Sequence, residues 1–158
     1  MVTTVTLDDL DRRLIGEMAR RPRTGVLELS RRLGVARGTV QARLDKLVSR
    51  RAITGFGPDL DLAALGYEVL AFCTLDIAQG RLADVVQHLR DEIPEVLEAH
   101  STSGPGDLHC RVVAHDNAHL QDVISRMLEV HGIMRTSTVI ALKDQIPYRI
   151  LPLVESRS

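Results

Sequence analysis

The stretch Arg31–Leu47, RRLGVARGTVQARLDKL, decides how this chain is read. It sets five basic side chains against one acidic one, and Gly34 divides it into two segments of helical spacing. Val40, Leu44 and Leu47 recur as one stripe of a helix. Upstream, Val26, Leu29 and Leu33 form a second stripe, on a short helix that Gly34 closes. A helix-turn-helix needs a small residue where two helices cross. It also needs a turn glycine free to adopt positive φ, and an aliphatic residue that pins the second helix on the first. Ser30, Gly34 and Val40 meet these conditions together.

A helix beginning near Ala36 therefore presents Arg37, Gly38 and Thr39 at its N-terminus, the end by which a recognition helix enters the major groove. Gly38 leaves room for close approach. Arg37 and Gln41 have the donor geometry to read guanine and adenine edges. Thr39 suits a phosphate or a thymine methyl. Arg43, Lys46, Arg50 and Arg51 are expected as phosphate clamps along the flanks, with Arg31 and Arg32 near the adjacent backbone. One such unit buries too little DNA for tight binding, so a dimer reading two half-sites is expected.

Working outward, LDDLDRRLIGEMARR places Leu7, Leu10, Leu14, Ile15 and Met18 on one stripe of a first helix that Pro22 stops. After the third helix, AITGFGPDLDLAALG changes character. Ile53 and Phe56 suggest a short strand, which Gly55, Gly57 and Pro58 break. The remainder has another rhythm. YEVLAFCTLDI, VLEAHSTS, LHCRVVA and IMRTSTVIAL read as strands, and RLADVVQHLRDEI and NAHLQDVISRMLEVHG as helices. The order is βαββαβ, a ferredoxin-like split βαβ unit. The fold class expected is thus α+β, an N-terminal helix-turn-helix (winged-helix-like) domain plus a C-terminal ferredoxin-like domain. The boundaries expected are 1–52, a linker 53–66 with a short strand, 67–144, and an extended or partly disordered tail 145–158.

The formal net charge of −1 argues against a nucleic-acid partner until it is divided. Residues 1–60 hold 12 Lys/Arg against 7 Asp/Glu, whereas residues 61–158 hold 8 against 14. The halves therefore suit different partners. The start MVTTVTLDDLDRR lacks the basic and apolar regions of a signal peptide. No apolar run approaches the ~18 residues a membrane span needs. Cys73 and Cys110 stand far apart in apolar strand-like contexts and read as buried thiols. A cytoplasmic location with no membrane partner is expected.

LDDLDRRLIGEMARRPR, then ELSRRLGVARGTVQARLDKLVSRRAITGF, then the βαββαβ half resemble the Lrp/AsnC (feast/famine) family of transcription regulators, over roughly Leu7 to Lys143. The resemblance implies a second domain that dimerises through its sheets and assembles four dimers into an octameric ring. It also implies a small effector, an amino acid, bound between dimers. The family's effector loop is commonly SGDxDY. Here it reads Ser103-Gly104-Pro105-Gly106-Asp107-Leu108, with Pro105 for the first acid and Leu108 for the aromatic. The family's T-x-T is met by Thr136-Ser137-Thr138. Ser103, Gly104, Gly106, Asp107, Leu108, Thr136 and Thr138 are accordingly the effector-binding candidates. Backbone amides near two glycines can hold a carboxylate, Asp107 an ammonium, and threonine hydroxyls the remaining bonds. GPGD also reads simply as a tight hairpin turn.

Other constellations carry less. His115 and His119 have a spacing that can hold a metal, but no third ligand is evident, so no metal or cofactor is expected. His100 and His109 flank the GPGD turn. No nucleophile elbow, P-loop or dinucleotide fingerprint is present, so no enzyme is expected. Two alternatives stay open beside the effector-responsive regulator. One is an effector-independent architectural DNA binder. The other is a small-molecule-binding module or enzyme with a vestigial helical domain.

Overall fold

The computed structural model describes residues 5–156. The first four residues of the expected N-terminal domain and the last two of the expected tail lie outside the described residues. The chain is α+β and divides into two compact units: Met1–Asp59 with Ile146–Ser158, and Leu60–Gln145.

The helical unit begins with α1 (Asp9–Arg20). Asp8 caps it, its Oδ1 accepting the Asp11 N–H at 2.9 Å while Asp11 Oδ2 accepts the Asp8 N–H in return. Helix α2 (Val26–Leu33) ends at Gly34, whose φ of +69° turns the chain towards α3 (Arg37–Ser49). Leu14, Leu29, Leu33, Val40, Leu44 and Leu47 form the buried core. Ser30 is buried at the crossing, its hydroxyl donating to Leu27 O at 2.7 Å. Helix α3 ends in a Schellman arrangement, with Ala52 N–H donating to Leu47 O and Arg51 N–H to Val48 O. The left-handed position that usually takes glycine is filled by Arg51, at φ +57°.

Two expectations fail in this unit. Residues 53–59 form no strand. The two glycines and Pro58 disfavour one, and among the described residues of this unit no strand lies alongside to accept its hydrogen bonds. The tail is not wholly extended either. It carries a short helix, α6 (Leu151–Glu155), which packs on α1.

The second unit is a four-stranded antiparallel sheet of order β2-β3-β1-β4, built from β1 (Val69–Ile77), β2 (Val96–Ser101), β3 (Leu108–Ala114) and β4 (Ile133–Ala141). Helices α4 (Leu82–Glu92) and α5 (Asn117–Glu129) complete it. Strand alternation sends Ala71, Cys73 and Leu75 of β1, with Leu108, Cys110 and Val112 of β3, against Val85, Leu89, Leu120, Val123 and Met127 of the helices. Cys73 and Cys110 face each other across β1 and β3, and burial raises both thiols, Cys110 to about 12. The opposite face bears Phe72, Thr74, Asp76, His109, Arg111, Arg135, Ser137 and Val139. Neither α4 nor α5 covers it.

Candidate nucleic-acid interface and effector site

On the first unit, α3 shows one face to the core and the other to solvent. Arg37, Gly38, Thr39 and Gln41 are all exposed. No side chain caps the helix, whose N-cap position is Ala36, so its N-terminal dipole is open to an anion. A Cβ added to Gly38 would meet nothing within 4 Å. Nothing inside the chain requires glycine there, in the first turn of the helix. The Gln41 amide donates to Asp45 Oδ1 at 2.9 Å, an exposed bond one turn along the helix.

The flanking cations separate into two groups. Arg50 and Arg51 are exposed. Arg43 turns onto α1 instead, where its Nη1 pairs with Asp8 and with Asp11 Oδ1, the latter at 3.0 Å. Lys46 Nζ lies 3.8 Å from Asp11 Oδ2. Asp11 is fully buried, and these two cations with the cap of α1 balance its charge. The sequence places Asp11 merely in the first turn of α1. Its position one residue after the apolar Leu10, with two cations on the partner helix, is the signal that could have found this brace. Arg31 and Arg32 pair with Glu28, and Arg32 also approaches Glu17.

On the second unit, the loop between β2 and β3 folds back over the end of β1. A β-bulge at Asp76/Ile77 interrupts the ladder with β4. On the opposite edge of β1, where β3 has not yet begun, Asp107 stands in for a strand neighbour, its Oδ2 accepting the Ile77 N–H at 2.7 Å while its own N–H donates to Leu75 O at 2.8 Å. Gly106, at φ +79°, allows this close approach, since a Cβ there would fall 2.3 Å from Thr74 Cγ2. Gly104 also has positive φ, and Ser103 is exposed at the loop tip.

The effector candidates do not converge. Leu108 is in the core beneath the helices. Thr136 and Thr138 pair with Leu75 and Cys73 and so share the helix-facing side, where Thr138 Oγ1 lies 3.4 Å from Cys73 Sγ. Gly106 alone of the seven lines a concavity of about 210 Å³ on the other side of the sheet, together with Thr74, Asp76, Pro105, Arg135 and Ser137. Asp76 and Arg135 are cross-strand partners of opposite charge there. Thr74 Oγ1 is 3.2 Å from His109 Nδ1, and Phe72 stacks on that imidazole. Sequence reasoning missed Thr74, Asp76, Arg135 and Ser137. The alternation of Ala71, Cys73 and Leu75 in β1 signals the outward parity of Thr74 and Asp76.

His115 and His119 are stacked, with Tyr67 on the far side of His115. His119 Nδ1 accepts the His115 N–H, which leaves its Nε2 facing Glu95 Oε1 at 3.3 Å. Arg126 donates to the same Glu95 oxygen at 2.6 Å. Burial raises the Glu95 carboxyl, but the Arg126 bond and the nearby His119 outweigh it and leave it below the ordinary value. Among the described residues, no group of three or more His, Cys, Asp or Glu could hold a metal ion, and no helix is long and apolar enough to cross a membrane.

Comparison with known proteins matches each unit to a family description. An AsnC-type helix-turn-helix domain covers residues 7–48, and an Lrp/AsnC ligand binding domain covers residues 70–151. The HTH-type transcriptional regulator FL11 of Pyrococcus horikoshii is 28% identical over 94% of this chain and 98% of its own length. The structure of E. coli AsnC superposes with a TM-score of 0.86 at 28% identity, over 94% of this chain and all of that one (100%). A transcriptional regulator from Neisseria meningitidis, solved as its L-Met complex, shares the fold at a TM-score of 0.78 and 21% identity, over 89% of this chain and 93% of its own.

Proposed function

The chain belongs to the Lrp/AsnC family of transcriptional regulators, and on that premise we propose that it is a sequence-specific regulator of double-stranded DNA controlled by a small effector. The observation that carries the reading is the N-terminus of α3. It is uncapped, exposes Arg37, Thr39 and Gln41, and holds a glycine at position 38 that no internal contact demands. Arg37 and Gln41 read base edges, Gln41 exchanging its bond to Asp45 for one to a base. Arg50 and Arg51 clamp phosphates. Arg51 retains a long cation in a backbone conformation that glycine adopts more readily, and a partner outside the chain supplies the reason. Arg43 and Lys46, which pair with α1, position the reading helix and contact DNA only at its edge.

The second unit dimerises through the sheet face that bears Phe72 and Val139, and dimers assemble to an octamer. The effector is an amino acid held at the Gly106 concavity, its carboxylate on Arg135 and its ammonium on Asp76, with Thr74 and Ser137 supplying hydroxyls. The L-Met complex of a protein with the same fold supports that class of ligand. Effector binding favours one assembly over another and so changes the number and spacing of DNA-reading helices. The protein is non-enzymatic and cytoplasmic, and domains 1–52 and 67–144 divide these tasks.

Electrophoretic shifts on the DNA upstream of its own coding region test the reading. Arg37→Ala and Gln41→Ala should each weaken binding without altering circular dichroism. Unchanged affinity and footprint in both would sink the assignment of α3. Calorimetry with the twenty amino acids tests the sensing arm, and uniformly flat traces would favour an architectural DNA binder.

A further inference from the structure

One stripe of α1 faces neither the core nor α3. It consists of Arg12, Gly16 and Arg20, spaced four residues apart, and it carries α6. Arg12 Nη1 donates to Val154 O at 2.9 Å and to Ser156 O at 3.2 Å, the carbonyls at the C-terminal end of α6. That is the end of a helix where a cation is favoured. Arg20 pairs with Glu155. Between them Gly16 is buried, and a Cβ there would come within 3.0 Å of Arg20 Nη1 and 3.7 Å of Glu155 Oε1. A glycine in the middle of a helix weakens that helix. This one makes room for the pair that holds the tail.

Helix α6 has five residues, too few to persist in water unaided. Its fold is therefore coupled to its docking. The ion pair that docks it is half exposed, its Leu151 and Val154 are only half-buried, and Leu153, Tyr148 and Ile146 remain in solvent. The docked segment is a low-stability element that opens without unfolding the core of either unit. The connectivity gives it leverage. The chain leaves the helical unit at residue 59 and returns to it at residue 146, so docking gives the helical unit a second covalent tie to the sheet unit.

We infer that residues 146–156 form a latch on the Arg12–Gly16–Arg20 face of α1, and that its docking limits the range of half-site spacings the DNA-reading units can span. The effect on spacing rests on the DNA-binding reading above, whereas the docking itself does not. The latch adds no affinity for a single half-site, because its residues lie apart from the Arg37–Gln41 reading face. It acts by restricting reach, as a shortened linker does.

The test uses the full-length protein and the double variant Arg12→Gln, Glu155→Gln. Trypsin cleavage after Arg149, an exposed residue just before α6, should accelerate about tenfold in the variant while cleavage elsewhere is unchanged. Hydrogen exchange of 150–156 should rise in parallel. On duplexes with half-sites moved apart in single base-pair steps, the wild type should fall off sharply from its preferred spacing and the variant should tolerate neighbouring spacings. Equal cleavage and exchange in the two proteins would overturn the latch. Loss of protection with identical spacing profiles would overturn its coupling to DNA. Failure of the wild type to bind any duplex would instead strike the DNA-binding reading, and the proteolysis and exchange results would still decide the docking. Gly16→Ala is the second variant. It strengthens α1 itself yet should also speed cleavage after Arg149, an outcome that general destabilisation cannot mimic.

Discussion

Two glycines, Gly38 on α3 and Gly106 in the hairpin loop, sit one at each candidate site, in opposite surroundings. Around Gly38 there is open space. Around Gly106 a Cβ would fall 2.3 Å from Thr74 Cγ2, in a backbone conformation that side chains rarely adopt. The loop glycine serves a contact within the chain, whereas no contact within the chain accounts for the helix glycine. The proposed reading surface projects outward from a helix that is already complete. The proposed effector site is built inward, from a loop laid over two strands.

That contrast can be broken in several ways, beginning with the scaffold. Leu47 is fully buried at the centre of the helical core. Leu47→Ala should cost about 2–5 kcal/mol, read as a lower denaturation midpoint of the helical unit, with DNA binding lost alongside. Gly106→Ala comes next. Strain at positive φ and the clash with Thr74 should cost the sheet unit about 1–3 kcal/mol. A neutral result would mean that the loop can lift off β1 freely, and the inward-built description would fail. Gly38→Ala should do the reverse. It should leave stability equal or raise it slightly while weakening operator binding. If affinity were unchanged, the glycine would have no outside purpose.

A finer separation lies within the sheet. Arg135→Gln should weaken amino-acid binding about tenfold, as loss of a charge-assisted hydrogen bond does. Thr138→Val should leave ligand binding alone, because its hydroxyl meets Cys73 on the helix side. The opposite pair of results in calorimetry would move the site to the other face. The smallest effect concerns pH. The hydrogen bond from Arg43 holds the Asp8 carboxyl below its ordinary value of 3.8. Its contribution to the helical unit is therefore complete above about pH 4 and fades as pH falls through the lower folded value. The thermal midpoint of that unit should drop on acidification, and Asp8→Asn should flatten the drop.

The two sites also differ in how plainly the sequence announces them. The exposed face of α3 is legible because a helix fixes its faces locally. Once Val40, Leu44 and Leu47 point inward, Arg37 and Gln41 must point out. The same reasoning gives the βαββαβ order, since β1, β3 and both helices carry firm apolar periods. It does not give the parity of β4. That strand lies at the edge of the sheet, its helix-facing Thr136 and Thr138 are polar and only half-buried, and Val139 points outward, so IMRTSTVIA has no clean apolar alternation to read. Thr136 and Thr138 were therefore placed one residue out of phase with the concavity that Ser137 and Arg135 line. Asp107 was hidden for another reason. Its partner, the Ile77 N–H, lies thirty residues earlier in the chain, on the edge of β1 just beyond the last residue that β3 pairs. The pairing of Arg43 and Lys46 with Asp11 belongs to the same class, a contact between helices that no single helix foretells.

The buried cysteine pair has a practical consequence. Thiols react as thiolates. Cys73 and Cys110 have no exposed surface and titrate far above neutrality, so both are silent towards alkylating and spin-labelling reagents in the folded protein. A cysteine introduced at an exposed position becomes the sole reactive thiol without removal of the native ones. Labels on α3 and on α6 can then report distances in an otherwise unaltered chain. The same two residues give an unfolding gauge at no extra cost in design, because they become reactive only when the sheet unit opens.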